Sequence, residues 1–295
     1  MKIVCLGVKG MLGSDIAVVC SEEQIEFRGY DLPELDITRE EDISKIGSEC
    51  DWVINCAGYT DVDGAEQDES LAMRVNAYGV RYVAEWCRRN AIGLLHLSTD
   101  YVFDGNARRP YREGDPVNPL NVYGRSKLAG ENFVREICEK HIIVRTQTLF
   151  GVNGENFVTA ILRQLHEVNT GKRKKVRVVE DQITSPTYTR HLAEAILKLI
   201  RTGYYGTVHV SASGECSLYK FAVAIGEAIG MCNVIEPVKT IEYVTRARRP
   251  LYSVLDKSRL IELIGRPLPE WRIGLQEFLE QVQRVSPGLV KVMGR

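Results

Sequence analysis

Short apolar runs alternate with longer stretches of helical period through the first half of the chain. The runs cover residues 3–6, 25–30, 52–55, 94–97 and 142–146. Each is too short for a helix, and all but 25–30, where Glu26 and Arg28 intervene, are mainly apolar, as expected of strands in a parallel sheet covered on both faces. Between them, Leu71, Val75, Tyr78, Tyr82 and Trp86 recur at spacings of three and four, which predicts one apolar helix face. A β-α-β-α alternation of this length predicts an α/β fold: a Rossmann-type, doubly wound parallel sheet with right-handed crossovers.

After Phe150 the rhythm changes. Gly151, Asn153 and Gly154 mark a loop, followed by a helical run (157–168), a strand (176–179), a second helix (190–201) and a strand (207–210). From Ser217 to about Val285 the pattern is helical and irregular. The expected organisation is a Rossmann domain over 1–150, with a return over roughly 176–212. A smaller substrate-binding lobe is expected from 151–175 and 213–295.

The chain has 295 residues and a formal net charge of −1, which gives no general field for a polyanion, so nucleic acid is not an expected partner. The basic run Lys172, Arg173, Lys174, Lys175 reads as a solvated face. Eight cysteines occur without a Cys-x-x-Cys pair, and most sit in apolar runs, so free thiols in a reducing compartment are expected. No apolar stretch approaches the ~18 residues of a membrane span, and no signal-peptide pattern precedes the first strand. A cytoplasmic protein is the expectation.

Two motifs carry chemistry. Gly7-Val8-Lys9-Gly10-Met11-Leu12-Gly13 follows the first strand and opens a helix. Glycines at Gly7, Gly10 and Gly13 permit a tight turn, close approach to a pyrophosphate and close helix–strand packing, while the helix N-terminus offers amides to phosphate. Asp31 ends the second strand, where an acid accepts ribose hydroxyls and disfavours a 2′-phosphate. Arg28 is not assigned to a phosphate. The second motif is Tyr123-Gly124-Arg125-Ser126-Lys127, which puts a phenol and an ammonium on one helix face. The ammonium is expected to lower the phenol pKa, and the phenol to protonate a carbonyl oxygen as hydride arrives. That spacing is common, and context decides. The fourth strand ends in Ser98-Thr99-Asp100 at the sheet edge where such folds bind ligands, so either hydroxyl is placed to hold the same oxygen. Small residues at Ala57 and Gly58 leave room for a nicotinamide ribose.

With these residues in hand, the chain resembles the extended short-chain dehydrogenase/reductases, and more finely the dTDP-4-dehydrorhamnose reductase family. The most specific matching stretches are Ser98-Thr99-Asp100-Tyr101-Val102-Phe103-Asp104-Gly105 and Asn121-Val122-Tyr123-Gly124 with Lys127-Leu128-Ala129-Gly130-Glu131. Further matches fall at Leu35-Asp36-Ile37-Thr38, Tyr59-Thr60-Asp61-Val62-Asp63, Val75-Asn76, Asp181-Gln182 and Arg249-Pro250, so the likeness spans almost the whole chain. It implies that Thr99, Tyr123 and Lys127 form the catalytic trio. It implies that Gly10, Met11, Leu12, Asp31, Asp36, Ile37, Ala57, Gly58, Tyr59, Tyr123 and Lys127 line NADPH or NADH. Thr99 and Asp100 would touch the sugar, with Thr148 at a place where the family often carries an aromatic. Arg248 or Arg249 would face the substrate diphosphate.

The expected activity is therefore reduction of the 4-keto group of a nucleotide-activated 6-deoxyhexose, with dTDP-4-dehydro-L-rhamnose as the leading substrate and polysaccharide biosynthesis as the setting. Another nucleotide-sugar reductase or epimerase is the alternative. A third reading is a non-catalytic regulatory subunit, since that of methionine adenosyltransferase is similar to these reductases. Some relatives are reported with Mg2+, but no carboxylate cluster here is assigned to a metal. The expected partner is a nucleotide sugar, not a membrane, and a homodimer is left open.

Overall fold

The structure, a computed structural model, describes residues 1–285. Residues 286–295, assigned above to the substrate lobe, lie outside the described residues. One six-stranded sheet organises the first half. Its strands are β1 (Lys2–Leu6), β2 (Glu26–Tyr30), β3 (Trp52–Asn55), β4 (Gly93–Thr99), β5 (His141–Thr146) and, later in the chain, β7 (Gly206–His209). They run in the order β7-β5-β4-β3-β1-β2, and every neighbouring pair is parallel.

Successive residues of β1 point to opposite faces, and both faces are apolar. Ile3 and Cys5 enter a core with Ile54, Leu95, Ile142 and Leu192, while Val4 and Leu6 enter another with Val53, Leu94, Ile143 and Val83. Two cores on one strand explain its unbroken apolar run. Helices α1 (Met11–Glu22) and α5 (Thr189–Leu199) cover the first face, and α2 (Val80–Arg89) covers the second. The chain leaves β1 for β2 on one side and returns to β3 on the other. This reversal opens a crevice above the carboxyl ends of β1 and β3.

The helical face around Tyr78 departs from its expected pattern. Residues Arg74–Gly79 form a π-helical segment ahead of α2. The wider turn advances the register, so Ala72, Asn76, Val80, Val83 and Cys87 are buried; of the expected face Trp86 is buried too, Val75 and Tyr82 are partly buried against the core, and Tyr78 is 45% exposed and packs on Phe133. A second correction concerns residues 176–179, which sequence places in the return to the large sheet. Strand β6 (Val176–Val179) instead pairs with β8 (Ile235–Val238) in a separate parallel two-stranded sheet. The return begins at α5. A third core surrounds that small sheet, where Phe221 packs within 5.5 Å of Phe150 and of Trp271, ring centre to ring centre. It joins α4 (Phe157–Asn169), α6 (Leu218–Glu227) and α8 (Trp271–Val285). A helix α7 (Ser258–Ile264) bears on the first core through Leu260. No helix among the described residues is long and apolar enough to cross a membrane.

Candidate active site

A cleft of about 1300 Å³ lies above the carboxyl ends of β1, β3 and β4, bounded on its far side by α4 and β6. The glycine motif forms one wall. Gly7 turns the chain at φ +82°, and a Cβ there would stand 2.7 Å from Ala57 N. A Cβ at Gly13 would come within 2.2 Å of the Gly7 carbonyl oxygen, so only glycine lets α1 approach β1 this closely. Gly10 is the N-cap of α1 and provides no side-chain cap, which leaves the first-turn amides at Met11 and Leu12 open toward the cleft. This cradle fits the diphosphate of a dinucleotide.

Asp31 sits on the rim, where Oδ2 accepts from Lys9 N at 2.8 Å and Oδ1 from Leu32 N at 2.8 Å. Arg28 lies elsewhere, its guanidinium 4.9 Å from the Tyr30 ring centre. Asp36 and Ile37 line the same end, Asp36 accepting from the Thr38 amide and hydroxyl. Ala57, Gly58 and Tyr59 line the floor. Their loop is held by Asn76, whose Oδ1 accepts from Tyr59 N at 2.8 Å and whose Nδ2 donates to Tyr59 O at 2.9 Å. A Cβ at Gly58 would lie 3.2 Å from Asn76 Oδ1 and 3.7 Å from Lys127 Nζ, so the missing methyl keeps that junction slack.

The helix α3 (Val122–Ile137) starts where Asn121 caps it, Oδ1 accepting from Gly124 N at 2.8 Å. This start places Tyr123 and Lys127 one turn apart beneath the end of β4. Lys127 is buried, with Nζ donating to Leu97 O at 2.5 Å. Burial pulls its pKa down to about 8, against the field of Glu131, which raises it. Tyr123 packs edge-to-face on Tyr101 with ring centres 5.8 Å apart. Burial pushes its phenol up to about 12; Thr99, as a hydrogen-bond partner, draws it down and Asp100 adds to the rise. The spacing predicts that Lys127 lowers that pKa; burial instead dominates and raises it, while one of the three Lys127 N–H donors goes to Leu97 O of β4. The structure also separates the two hydroxyls. Ser98 Oγ donates to Glu131 Oε1 at 2.5 Å, whereas Thr99 Oγ1 donates to Asp100 Oδ1 at 3.0 Å beside Tyr123. Asp100 is buried, and desolvation lifts its carboxyl to about 7 against hydrogen bonds from Ser253 and Thr99.

Thr148 lines the cleft at φ +43°, an uncommon conformation for a β-branched residue, with Oγ1 and Thr184 Oγ1 2.7 Å apart. Arg249 also lines it, but paired: its guanidinium reaches Asp63 Oδ2 at 2.7 Å. Arg248 is exposed and does not line the cleft; its carbonyl accepts from Asn121 Nδ2. Every residue expected at the site thus meets in one cleft, apart from Arg248 of the Arg248 or Arg249 pair. Sequence reasoning gave no role to Lys9, Asn76, Asp63 or Glu131. Asn76, Asp63 and Glu131 lay in the matching stretches, but their partners lie 17 or more residues away for Asn76, Asp63–Arg249 and Ser98–Glu131, beyond any local pattern. The run 172–175 is a surface face in which Arg173 pairs with Glu167 and Lys175 with Glu236. All eight cysteines are free. Among the described residues no three His, Cys, Asp or Glu side chains cluster as metal ligands.

The spore coat polysaccharide biosynthesis protein SpsK of Bacillus subtilis is 38% identical over 287 residues, covering 95% of this chain and 97% of the relative. The crystal structure of a dTDP-4-dehydrorhamnose reductase from Clostridium acetobutylicum superposes with a TM-score of 0.90 at 38% identity, over 96% of this chain and all of that one. That of the Bacillus anthracis dTDP-4-dehydrorhamnose reductase, in complex with NADP, gives 0.89 at 38% identity, over 95% and 100%. Residues 1–284 match the family model described as the RmlD substrate binding domain, and the chain belongs to that family of NAD(P)-dependent oxidoreductases.

Proposed function

We propose that this protein reduces the 4-keto group of a nucleotide-activated 6-deoxyhexose, with dTDP-4-dehydro-L-rhamnose as substrate and dTDP-L-rhamnose as product. The observation that carries the reading is that Thr99, Tyr123 and Lys127 all line one cleft, where burial raises the Tyr123 phenol to about 12. The glycine cradle of Gly7, Gly10 and Gly13, with Met11 and Leu12, holds the cofactor diphosphate, and Asp31 takes the adenosine ribose. Ala57, Gly58, Tyr59 and Lys127 lie at the nicotinamide end, with Asp36 and Ile37 farther along the same wall. A reduced nicotinamide bound there supplies hydride to the carbonyl carbon.

The chain's own residues do the rest. The Thr99 hydroxyl holds the carbonyl oxygen, and Tyr123 gives it a proton as charge develops. Lys127, fixed by Leu97 O, holds positive charge beside the site and stabilises the phenolate left behind. Asp100 positions a sugar hydroxyl. Thr148 faces the hexose, and Arg249, oriented by Asp63, faces the substrate diphosphate. We assign residues 151–175 and 213–285 to the substrate side and the large sheet to the cofactor, with the ligands between them. The test is to mix the protein with NADPH or NADH and the 4-keto sugar nucleotide, and to follow loss of reduced-nicotinamide absorbance and formation of the 6-deoxyhexose. Tight NADPH binding with no turnover on any nucleotide 4-keto sugar would overturn the reading in favour of a binding-only role.

A further inference from the structure

Behind the site lies a buried carboxylate that the reduction does not use directly. Glu131 sits on α3 one helical turn beyond Lys127 and is 0% exposed. Arg145 of β5 grips it with two bonds, Nε to Oε1 at 2.9 Å and Nη2 to Oε2 at 2.8 Å, and Arg135 of α3 adds a third bond. From β4, Ser98 Oγ donates to Oε1 at 2.5 Å. A charge so deeply buried is costly unless every lone pair is used, and here four donors converge on two oxygens.

Three elements therefore meet at this one group. Tyr123 and Lys127 ride on α3, while Leu97, Ser98 and Thr99 form the end of β4. The phenol of Tyr123 and the hydroxyl of Thr99 must converge on one oxygen, yet they belong to different elements. Behind Thr99 and Tyr123 themselves, α3 is tied to this end of β4 by the bonds from Ser98 to Glu131 and from Lys127 to Leu97 O. The other titratable groups packed here are Asp100 after β4, Tyr123 of α3, His96 of β4, His209 of β7 and Cys56 after β3. Burial holds both histidines neutral, and it lifts the Asp100 carboxyl to about 7, on the acid side of Lys127. The charged set on the alkaline side is thus Lys127, Glu131, Asp100, Arg145 and Arg135.

We propose that Glu131 is a positioning residue for the reduction: locked by Arg145, it pins Ser98, so fixing Thr99 against Tyr123, and it holds the charge on the Lys127 ammonium one turn away. The inference rests on the functional reading above. Its electrostatic half agrees with the field of Glu131 on Lys127, which opposes the loss of the proton that burial favours.

The test compares the full-length protein with Glu131→Gln, Glu131→Asp and Ser98→Ala. Rates are read as kcat and KM, and kcat/KM and NADPH Kd are followed against pH. Glu131→Gln keeps the shape and removes the charge, so the alkaline limb set by Lys127 should move about one unit toward lower pH. Glu131→Asp keeps the charge but shortens the reach, so kcat should fall about 10- to 100-fold while that limb stays in place. Ser98→Ala should lower kcat without moving the limb. An unchanged limb in Glu131→Gln would overturn the electrostatic half. If Glu131→Gln does not fold, the other two variants decide: Ser98→Ala and Glu131→Asp with wild-type kcat would overturn the positioning role. Should the wild type reduce no nucleotide 4-keto sugar, the functional reading fails by itself. The pH dependence of NADPH affinity then still reads Lys127 in wild type and Glu131→Gln, and an identical profile in both overturns the inference.

Discussion

Replacing Tyr123 by Phe removes a single hydroxyl from the centre of the cleft. The ring stays, and its edge-to-face contact with Tyr101, at 5.8 Å between centres, needs no hydroxyl. Cofactor affinity should therefore change by only a few fold. The rate should change far more. A positioned acid is worth roughly 10²–10⁴-fold, and Tyr123 is the group assigned to give up its proton here. The native phenol, pushed up to about 12, is protonated at neutral pH and ready to donate. We expect kcat for 4-keto-sugar reduction to fall at least ~10²-fold, or about 2.7 kcal/mol of barrier. Lys127→Met should lower kcat and also weaken cofactor binding, because it removes both a charge and a ribose contact. The assay is the loss of reduced-nicotinamide absorbance under saturating cofactor, with Kd measured separately by titration. Near-wild-type turnover in Tyr123→Phe would refute the assignment of the proton donor.

Three further outcomes are expected. The Asp100 carboxyl is raised to about 7 in the folded chain, so the native state binds its proton more tightly than the unfolded one, and this group costs stability increasingly as pH rises from about 4 to 7, and fully above it. Asp100→Asn should thus raise Tm at pH 8 more than at pH 5, on the order of 2–4 kcal/mol between the two conditions, while lowering kcat/KM; equal shifts at both pH values in thermal melts would count against a strained carboxylate. Arg249→Ala should raise KM for the nucleotide sugar more than for the cofactor, and equal rises for both, or none, would remove Arg249 from the diphosphate. NADH should be accepted alongside NADPH, and Asp31→Ala should shift the kcat/KM ratio toward NADPH; a wild type that cannot use NADH at all would overturn the role given to Asp31.

Much of this protein is local, and local features are written in sequence. The glycine spacing, the apolar strand runs and the four-residue step from Tyr123 to Lys127 each report a turn, a buried strand or a helix face without any long-range information. They were enough for the α/β class, the glycine cradle and the Tyr123–Lys127 pair; Asp36, Ile37, Tyr59, Thr148 and Arg249 came from the family resemblance. What the tertiary structure decided is pairing. Strand 176–179 has an apolar pattern that suits either sheet, and only its partner at 235–238 excludes it from the large one. The π-helical turn at 74–79 changes which residues face the core, because its register depends on packing rather than on periodicity. Ser98 and Thr99 are equivalent hydroxyls until Glu131, 33 residues on, claims the first. The protonation of Tyr123 depends on burial and on the direction of the Lys127 ammonium, quantities set by neighbours that no spacing rule contains. Arg249 reads as a free cation until Asp63, far away in the chain, is found beside it.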